Sequence, residues 1–294
     1  MYEAEIIGEQ RIAEGTNTVI ALIQTQWPGN RETIIATYQE LVAEAAAQGA
    51  QAVCLQEFTL SPYFASVVDK ANYRWAEPLH GGETDRVLGQ LAAEHELYIV
   101  GSIFERGENG RFWDTATIHN PQGQLAGWTR KVHIPQGEGY HEDHYFNGSD
   151  QFPLHDLAGW QTAVPTCYDQ WFPELSRIYA LNGANFIFYP TAIGSEPTNP
   201  DIDSRDAWQT VMRGQAIANG VYIAAANRVG SEGVTFYGSS FVCDPMGNII
   251  AQAGRDETEL IVAKLDTAVL SEWRRLFPLL KQRRPEVYGD LVKK

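Results

Sequence analysis

Apolar residues fall into two patterns that alternate along the chain. Continuous apolar runs, which are typical of buried strands, are followed by longer segments with apolar residues every three or four positions, which are typical of helices. The runs predict strands over residues 18–24, 52–56, 97–104, 161–165, 184–189, 221–226 and 260–265. The helical spacing predicts helices over residues 30–48, 84–96, 173–181 and 204–219. This alternation is typical of a layered α/β fold.

Turn-forming residues mark the ends of these elements. Asn30 is suited to cap the first helix, Gly49 to end it, and Pro173 to open the third. Two similar segments, HNPQGQLAG and CDPMGNIIA, predict hairpin turns at residues 120–123 and 244–247. Each half of the chain is therefore expected to supply helices and one partly antiparallel sheet.

The arrangement that buries both sheets is a four-layer αββα sandwich in a single domain, with the sheets face to face and the helices outside. No low-complexity linker divides the chain. The domain is expected to span residues 17–270, after a polar arm of residues 1–16 and before a C-terminal tail of residues 271–294.

Composition limits the class of protein. The chain has 294 residues, of which 44% are hydrophobic and 11% aromatic, as in folded globular proteins. The net charge of −15 disfavours nucleic acid and anionic membranes as partners, since both bind basic surfaces. The first residues lack the features of a secretory signal, and no apolar run approaches the ~20 residues of a membrane span. Three widely spaced cysteines indicate free thiols in a reducing compartment, so a cytoplasmic location is expected.

One of these cysteines lies where chemistry is expected. Cys167, in the segment PTCYDQWFPE, follows a predicted strand, and a thiol becomes a nucleophile where a base or a cation assists it. No histidine occurs on that strand or in the turn after it. Glu57 directly follows the predicted strand of residues 52–56, and Lys131 ends the second strand of the first predicted hairpin, AGWTR. Strand ends are where α/β folds gather catalytic groups. Cys54 and Cys243 are interpreted as buried, unreactive thiols.

Three motifs around these residues resemble those of the nitrilase (carbon–nitrogen hydrolase) superfamily. They are LQEF with Glu57, TRKVHIP with Lys131 and PTCYDQWFPE with Cys167, in the same order. A closer resemblance, over residues 131–244, is to the N-carbamoylputrescine amidohydrolase branch, through segments such as HIPQGEGYHEDHYFNGSD, FYPTAIGSEP and AANRVG. The resemblance implies an αββα sandwich that works without a cofactor.

The resemblance also implies a role for each residue. Cys167 would attack the carbonyl carbon of a carbamoyl group or amide, and Glu57 would accept the thiol proton and later activate water. Lys131 and the backbone N–H of Tyr168 would stabilise the oxyanion. Glu142, in the loop after Lys131, matches the family's fourth polar residue and would orient the lysine or help to position the substrate.

The far end of a carbamoylated diamine would carry an ammonium group, which needs an anionic partner when buried. The resemblance implies that Glu196 binds this amine tail, because it matches a position that the branch associates with the tail. Tyr140, Tyr168, Asp169 and Trp171 are expected to complete the substrate-binding pocket. The expected reaction is hydrolysis of N-carbamoylputrescine to putrescine, ammonia and carbon dioxide.

Other substrates and roles stay open. A carboxylate tail, as in N-carbamoyl-β-alanine, would need an arginine, and Arg205 and Arg228 are candidates. The segments FTLSPYF and QGEG differ from the branch pattern beside the expected entrance, so a simple aliphatic amide is a further candidate. A non-catalytic binding protein on this fold would be expected to lack one of the three motif residues. A redox-sensing role for Cys167 would give no turnover.

The expected partners are a small carbamoyl or amide substrate and further copies of this chain. The resemblance implies a homo-oligomer, a dimer or larger, with contacts from residues 173–183 and from the tail packing on a neighbouring subunit. No metal is expected, because His133, His141 and His144 lie in a glycine-rich loop rather than on one helix face, and no further ligands complete a site.

Overall fold

A computed structural model describes residues 17–293, whose strands form two six-stranded sheets. The expected arm of residues 1–16 lies outside the described residues. The strands of the first sheet are β1 (Asn17–Gln24), β2 (Ala52–Cys54), β3 (Tyr98–Arg106), β4 (Phe112–His119), β5 (Leu125–Arg130) and β12 (Glu259–Asp266). Those of the second are β6 (His155–Leu157), β7 (Trp160–Ala163), β8 (Phe186–Pro190), β9 (Tyr222–Ala226), β10 (Phe241–Cys243) and β11 (Ile249–Gln252). The α-helices of this part of the chain are α1 (Arg31–Ala47), α2 (Glu83–His95), α3 (Pro173–Leu181), α4 (Arg205–Asn219) and α5 (Thr267–Leu276).

The two sheets pack face to face. Their facing side chains form one apolar core, to which β1 contributes Ile20 and Leu22 and β8 contributes Phe186 and Phe188. Helices α1 and α2 cover the outer face of the first sheet, and α3 and α4 cover that of the second. The predicted four-layer αββα sandwich is therefore confirmed.

The last strand, β12, belongs to the sheet that the first half of the chain forms. The first sheet has the order β12-β1-β2-β3-β4-β5, and β12 pairs antiparallel with β1 from Asn17–Asp266 to Gln24–Glu259. The expectation that each half supplies its own sheet is wrong for this strand. Strand β1 is apolar on both faces, and pairing with β12 satisfies its backbone groups on the side that β2 leaves open.

Local sequence signals determine where the elements begin and end. The Asn30 side chain accepts a hydrogen bond from the N–H of Thr33 at 2.8 Å, as expected for the cap of α1. Pro173 is the first residue of α3. In the turn between β4 and β5, Asn120 Oδ1 accepts hydrogen bonds from the N–H groups of Gln122 and Gln124. The predicted hairpin is therefore present.

The parallel part of each sheet positions the candidate catalytic residues. Strands β1, β2 and β3 run parallel in the first sheet, as do β7, β8 and β9 in the second. Glu57 lies beyond the carboxyl end of β2 and Cys167 beyond that of β7, while Lys131 directly follows β5. A bridge between Thr25 and Arg228 joins the ends of β1 and β9, so the two sheets meet at this edge.

Helix α5 spans residues 270 and 271, where the domain is expected to end and the C-terminal tail to begin. The segment after α5 exposes apolar side chains, among them Val287 and Leu291. Its packing on a neighbouring subunit stays a prediction. Among the described residues, none of the helices has the length and apolar character that crossing a membrane requires.

Candidate active site

The Lys131 ammonium lies at the centre of a buried polar cluster. Its Nζ donates hydrogen bonds to Glu57 Oε1 at 3.0 Å and to Glu142 Oε2 at 2.5 Å. It also lies 3.1 Å from Asp114 Oδ2. The four side chains are no more than 1% exposed. The structure thus brings together three residues that the sequence singled out, and adds Asp114 as a fourth.

Three carboxylates determine the charge of Lys131. Burial acts to lower the pKa of this side chain, because desolvation disfavours the charged amine. The negative charges of Glu142, Glu57 and Asp114 outweigh burial and raise the pKa well above its usual range. Lys131 therefore stays positively charged at neutral pH.

One ammonium group does not neutralise the negative charge of the three carboxylates. Burial raises the pKa of Glu57 well above its usual range; Lys131 opposes this shift, and Asp114 and Glu142 add to it. The pKa of Glu142 is also raised, with burial as the main cause. Because like charges at short range disfavour one another, the cluster binds a proton more readily than separate carboxyls would.

The carboxylates of the cluster have the spacing of a metal site, but a lysine lies at its centre. Within residues 17–293, oxygens of Glu57, Asp114 and Glu142 lie within 4.8 Å of one another, close enough to share an ion. The Nζ of Lys131 lies among them at 2.5–3.1 Å and supplies the positive charge that a cation would bring. These carboxylates are therefore arranged around a lysine.

A buried arginine holds the turn that carries Glu57. Arg228, which follows β9, donates hydrogen bonds of 2.8–3.2 Å to the backbone carbonyls of Glu57, Phe58 and Ser61. It also pairs with Glu232 at 2.8 Å. Phe58 has a φ of 52°, in the left-handed region, so these contacts maintain an unfavourable turn. The interpretation of Arg228 as a candidate partner for a carboxylate substrate is wrong, because its guanidinium is fully buried and already paired.

Replacing Arg228 by methionine is expected to lower the free energy of unfolding by about 3–5 kcal/mol and to reduce turnover strongly. The substitution removes the Arg228 donors from three buried carbonyls and leaves Glu232 without its ion-pair partner. Denaturant unfolding of Arg228→Met would measure the loss. Arg255→Met is the control, because Arg255 forms an exposed pair with Asp203 and its loss should change stability by no more than about 1 kcal/mol. Equal effects for the two variants would contradict the prediction.

The segment after β7 presents the thiol at the start of a short helical turn. Residues Cys167–Trp171 form one 3-10 turn, and Cys167 has a φ of 20°. A residue with a side chain is disfavoured there, at a cost of roughly 1–3 kcal/mol. The N–H of Tyr168 lies in the first turn, where backbone donors have no partner within the helix. This N–H can therefore donate to an oxyanion formed beside the thiol.

Glu57 and Lys131 both act on the Cys167 thiol, which places the three groups in one site. Burial raises the pKa of Cys167 well above its usual range; Glu57 raises it further and Lys131 lowers it. The group is therefore a protonated thiol at neutral pH and needs a base to react. Among the described residues, the buried Glu57 Oε2 has no hydrogen-bond partner, whereas Oε1 is held by Lys131. One carboxylate oxygen is thus left to accept a proton.

Asp169 links the two loops of the site. Its Oδ1 accepts hydrogen bonds from the N–H of His133 at 2.9 Å and from His133 Nδ1 at 2.8 Å, and its Oδ2 accepts from the N–H of Val132 at 3.2 Å. The side chain is fully buried. Asp169 therefore joins the Cys167 turn to the residues after Lys131, and this link occupies both of its oxygens.

Tyr140 lies near both Cys167 and Glu196. Its hydroxyl donates to the carbonyl of Ser195 at 3.0 Å and accepts from the N–H of Gly194 at 3.2 Å. Burial raises the pKa of Tyr140, and the charges of Glu196 and Cys167 raise it further, so both lie near the phenol. Glu196 is half-buried, and within residues 17–293 its carboxylate has no hydrogen-bond or ion-pair partner.

Tyr168 and Trp171 lie on the same 3-10 turn as the thiol, and both are half-buried. The Tyr168 ring packs edge-on against Phe172, with ring centroids 5.4 Å apart. Phe172 in turn stacks on His133 at 3.6 Å. The turn therefore presents a partly exposed aromatic surface, and the role of Tyr168 and Trp171 in binding a substrate stays a prediction.

Comparison with known proteins identifies the family. A model of the family described as "Carbon-nitrogen hydrolase" matches residues 19–275. The chain belongs to the carbon–nitrogen hydrolase family. Like the amidases of that family, it hydrolyses C–N bonds other than peptide bonds. A carbon–nitrogen hydrolase from Helicobacter pylori G27 has a similar structure, with a TM-score of 0.88 and 32% sequence identity over 95% of this chain and 99% of that chain.

Two curated relatives of this carbon–nitrogen hydrolase carry different names. "Citrullinase" from Francisella tularensis subsp. tularensis is 36% identical over 95% of this chain and 99% of its own. "N-carbamoylputrescine amidase" from Solanum lycopersicum is 37% identical over 93% of this chain and 94% of its own. Both names refer to substrates with a carbamoyl group, but the far ends of those substrates differ.

Sequence reasoning missed two polar residues of this hydrolase site. Asp114 lies inside β4 rather than at a strand end, where catalytic groups were expected. Tyr63 lies in the segment FTLSPYF, and its hydroxyl donates to Glu142 Oε1 at 3.1 Å. The available signal for Asp114 was a charged residue within a strand of otherwise apolar and small residues.

Proposed function

We propose that this hydrolase converts N-carbamoylputrescine and water to putrescine, ammonia and carbon dioxide. One observation supports the chemistry above all others: Glu57 has one oxygen held by Lys131 and one buried oxygen without a partner, beside the Cys167 thiol. The overall similarity to N-carbamoylputrescine amidases supports the class of substrate.

In the first half of the proposed reaction, Glu57 accepts the thiol proton as Cys167 Sγ forms a bond to the carbamoyl carbon. The carbonyl oxygen becomes an oxyanion, which the Lys131 ammonium and the Tyr168 N–H stabilise. Glu57 then returns the proton to the leaving nitrogen, and the C–N bond breaks. The product is a carbamoyl or acyl group on the sulfur.

In the second half, water replaces the departed amine. Glu57 accepts a proton from this water as its oxygen attacks the carbon of the thioester-like intermediate. The C–S bond breaks, and the proton returns to the sulfur. For a urea-type substrate the remaining carbamic acid releases carbon dioxide and the second amine, so each substrate consumes one water molecule.

The tail of the substrate is assigned to Glu196. An ammonium group would pair with its half-buried carboxylate, which has no partner among the described residues. Tyr140 lies near both Cys167 and Glu196, so its ring would lie along the alkyl chain between the two ends. The face of an aromatic ring also attracts an alkylammonium group.

A second candidate substrate is citrulline, which supplies the same carbamoyl group and adds a carboxylate beside the terminal ammonium. The similarity to "Citrullinase" favours it. Arg205 is the basic side chain that could bind the carboxylate, since its Nε is buried without a partner in the described chain while its Nη2 contacts Asp206. Arg228 cannot serve, because its donors are engaged with the Glu57 turn.

Matched substrates separate these possibilities. N-carbamoylputrescine and citrulline differ by one carboxylate, and N-butylurea lacks only the terminal amine of N-carbamoylputrescine. Ammonia release should give the highest kcat/KM for N-carbamoylputrescine. Preference for citrulline or N-carbamoyl-β-alanine would overturn the tail assignment and keep the catalytic residues. Equal rates for N-butylurea and N-carbamoylputrescine would show that the tail is not recognised.

Replacing Glu196 by glutamine is expected to raise KM for N-carbamoylputrescine about 10- to 100-fold, because the ammonium loses a charged hydrogen-bond acceptor. The KM for N-butylurea should stay within about twofold, since this substrate has no charge to pair. Glu138→Gln is the control for a general change of charge, because Glu138 is 65% exposed in a nearby loop. Equal loss for both substrates would assign Glu196 a structural role.

A further inference from the structure

Asp114 is a buried carboxylate of the site for which the catalytic cycle provides no step. It lies on β4, is fully buried, and its Oδ2 is 3.1 Å from Lys131 Nζ. Its Oδ1 accepts a hydrogen bond from Ser102 Oγ at 3.1 Å, and its Oδ2 accepts one from Thr166 Oγ1 at 3.3 Å. A buried charge with three specific partners is a costly feature to retain without a function.

Each hydroxyl that binds Asp114 leads to one of the other catalytic residues. Ser102 Oγ also accepts a hydrogen bond from the N–H of Phe58 at 3.1 Å, and Phe58 directly follows Glu57. Thr166 directly precedes Cys167. Asp114 therefore contacts Lys131 directly. Through one hydroxyl group each, it is also linked to the turn that carries Glu57 and to the turn that carries Cys167.

We propose that Asp114 is a positioning residue that fixes the Lys131 ammonium and, through Ser102 and Thr166, sets the turns of Glu57 and Cys167 relative to it. Its negative charge has a second effect, because it disfavours the ionised form of Glu57 and so makes this carboxylate a stronger base. This inference rests on the proposed role of Glu57 as general base.

The charged and titratable groups around Asp114 and Glu57 come from several elements. Lys131 approaches from the end of β5, Glu142 from the loop after it, and Cys167 from the turn after β7. Tyr63 faces Glu142 and contributes a neutral phenol, because burial and the nearby carboxylates raise its pKa well above its usual range. Arg228, paired with Glu232, lies at the backbone of Glu57. Lys131 is the cation in contact with all three carboxylates.

The test is the pH dependence of kcat/KM for Asp114→Asn. Asparagine keeps the size and the oxygen acceptor but removes the charge, so the Glu57 pKa should fall. The acid limb, which reports the cluster as a whole, should move to lower pH by about one unit or more. The plateau should fall roughly three- to tenfold, since the base is weaker. An unchanged acid limb would overturn the electrostatic part of the proposal.

Thr166→Val and Ser102→Ala provide the matched comparison, because each removes a hydrogen bond to Asp114 and keeps its charge. Both should lower the plateau and leave the acid limb in place. If either variant retains the full rate, Asp114 does not act through that hydroxyl, and the positioning part of the proposal fails for that turn. Circular dichroism and thermal unfolding show whether each variant is folded before its rate is compared.

A second measurement does not depend on knowing the substrate. Alkylation of Cys167 by iodoacetamide, followed by peptide mass mapping, reports how readily the thiol loses its proton at each pH. If Glu57→Gln leaves this profile unchanged, the proposed role of Glu57 fails. If Glu57→Gln changes the profile and Asp114→Asn does not, the inference about Asp114 alone is overturned.

Discussion

Replacing Lys131 by methionine is expected to lower the free energy of unfolding by about 3–5 kcal/mol and to abolish turnover. The ammonium is the shared partner of three buried carboxylates, Glu57, Asp114 and Glu142, and methionine would leave them facing one another. Denaturant unfolding of the two proteins at neutral pH would measure the difference. Lys264→Met, at an exposed position of β12, is the control and should change stability by less than about 0.5 kcal/mol.

The loss caused by Lys131→Met should depend on pH with a definite sign. The three carboxylates raise the folded-state pKa of Lys131, so this lysine contributes stability below its unfolded pKa and loses it as pH rises through the folded pKa. In the variant the carboxylates lose their cation, and protonation relieves their repulsion. The difference in unfolding free energy should therefore shrink as pH falls toward the range in which the raised carboxyl pKa values of Glu57 and Glu142 lie. A difference that grows on acidification would contradict this account.

Replacing Cys167 by alanine is expected to lower kcat by a factor on the order of 10⁶ while the protein stays folded. No other thiol can take its place, because Cys54 and Cys243 are fully buried within β2 and β10. Ammonia release would measure the loss of turnover. Mass spectrometry would show whether a covalent intermediate still forms on the protein.

Cys54→Ala is the matched control for this substitution, since it removes a buried thiol from the strand that leads to Glu57. Its activity should remain within a few-fold of the unsubstituted protein. Turnover that survives in Cys167→Ala, or is lost equally in both variants, would remove Cys167 from the role of nucleophile.

The sequence predicts the layers and the three candidate catalytic positions for a common physical reason. Apolar runs buried between two layers must be strands, and polar residues directly after such runs must lie at the edge of a sheet. Glu57 satisfies this rule, Cys167 follows the predicted strand 161–165 after one residue, and Lys131 follows the second strand of the hairpin. The structure places all three at strand ends. Local patterns were sufficient because each of these positions is determined by the strand before it.

The features that the sequence does not predict depend on contacts between distant segments. The apolar run of β12 predicts a strand but does not predict which strand pairs with it. Its partner is β1 in the first sheet. In the sequence, Arg228 is a candidate to bind a substrate carboxylate, but in the structure it is buried against three backbone carbonyls. Asp114 lies within a strand, where neither periodicity nor a strand end distinguishes it from an exposed polar residue.

The pairing of β1 with β12 has a consequence for how the protein is made. Strand β1 is made before the other described strands and its partner β12 after them, so the first sheet keeps an open edge until residues 259–266 have left the ribosome. Contacts between segments so far apart in sequence also form slowly, because a long loop must close before they contribute. Formation of the complete first sheet, which carries Glu57 and Lys131, must therefore wait for the C-terminal strand.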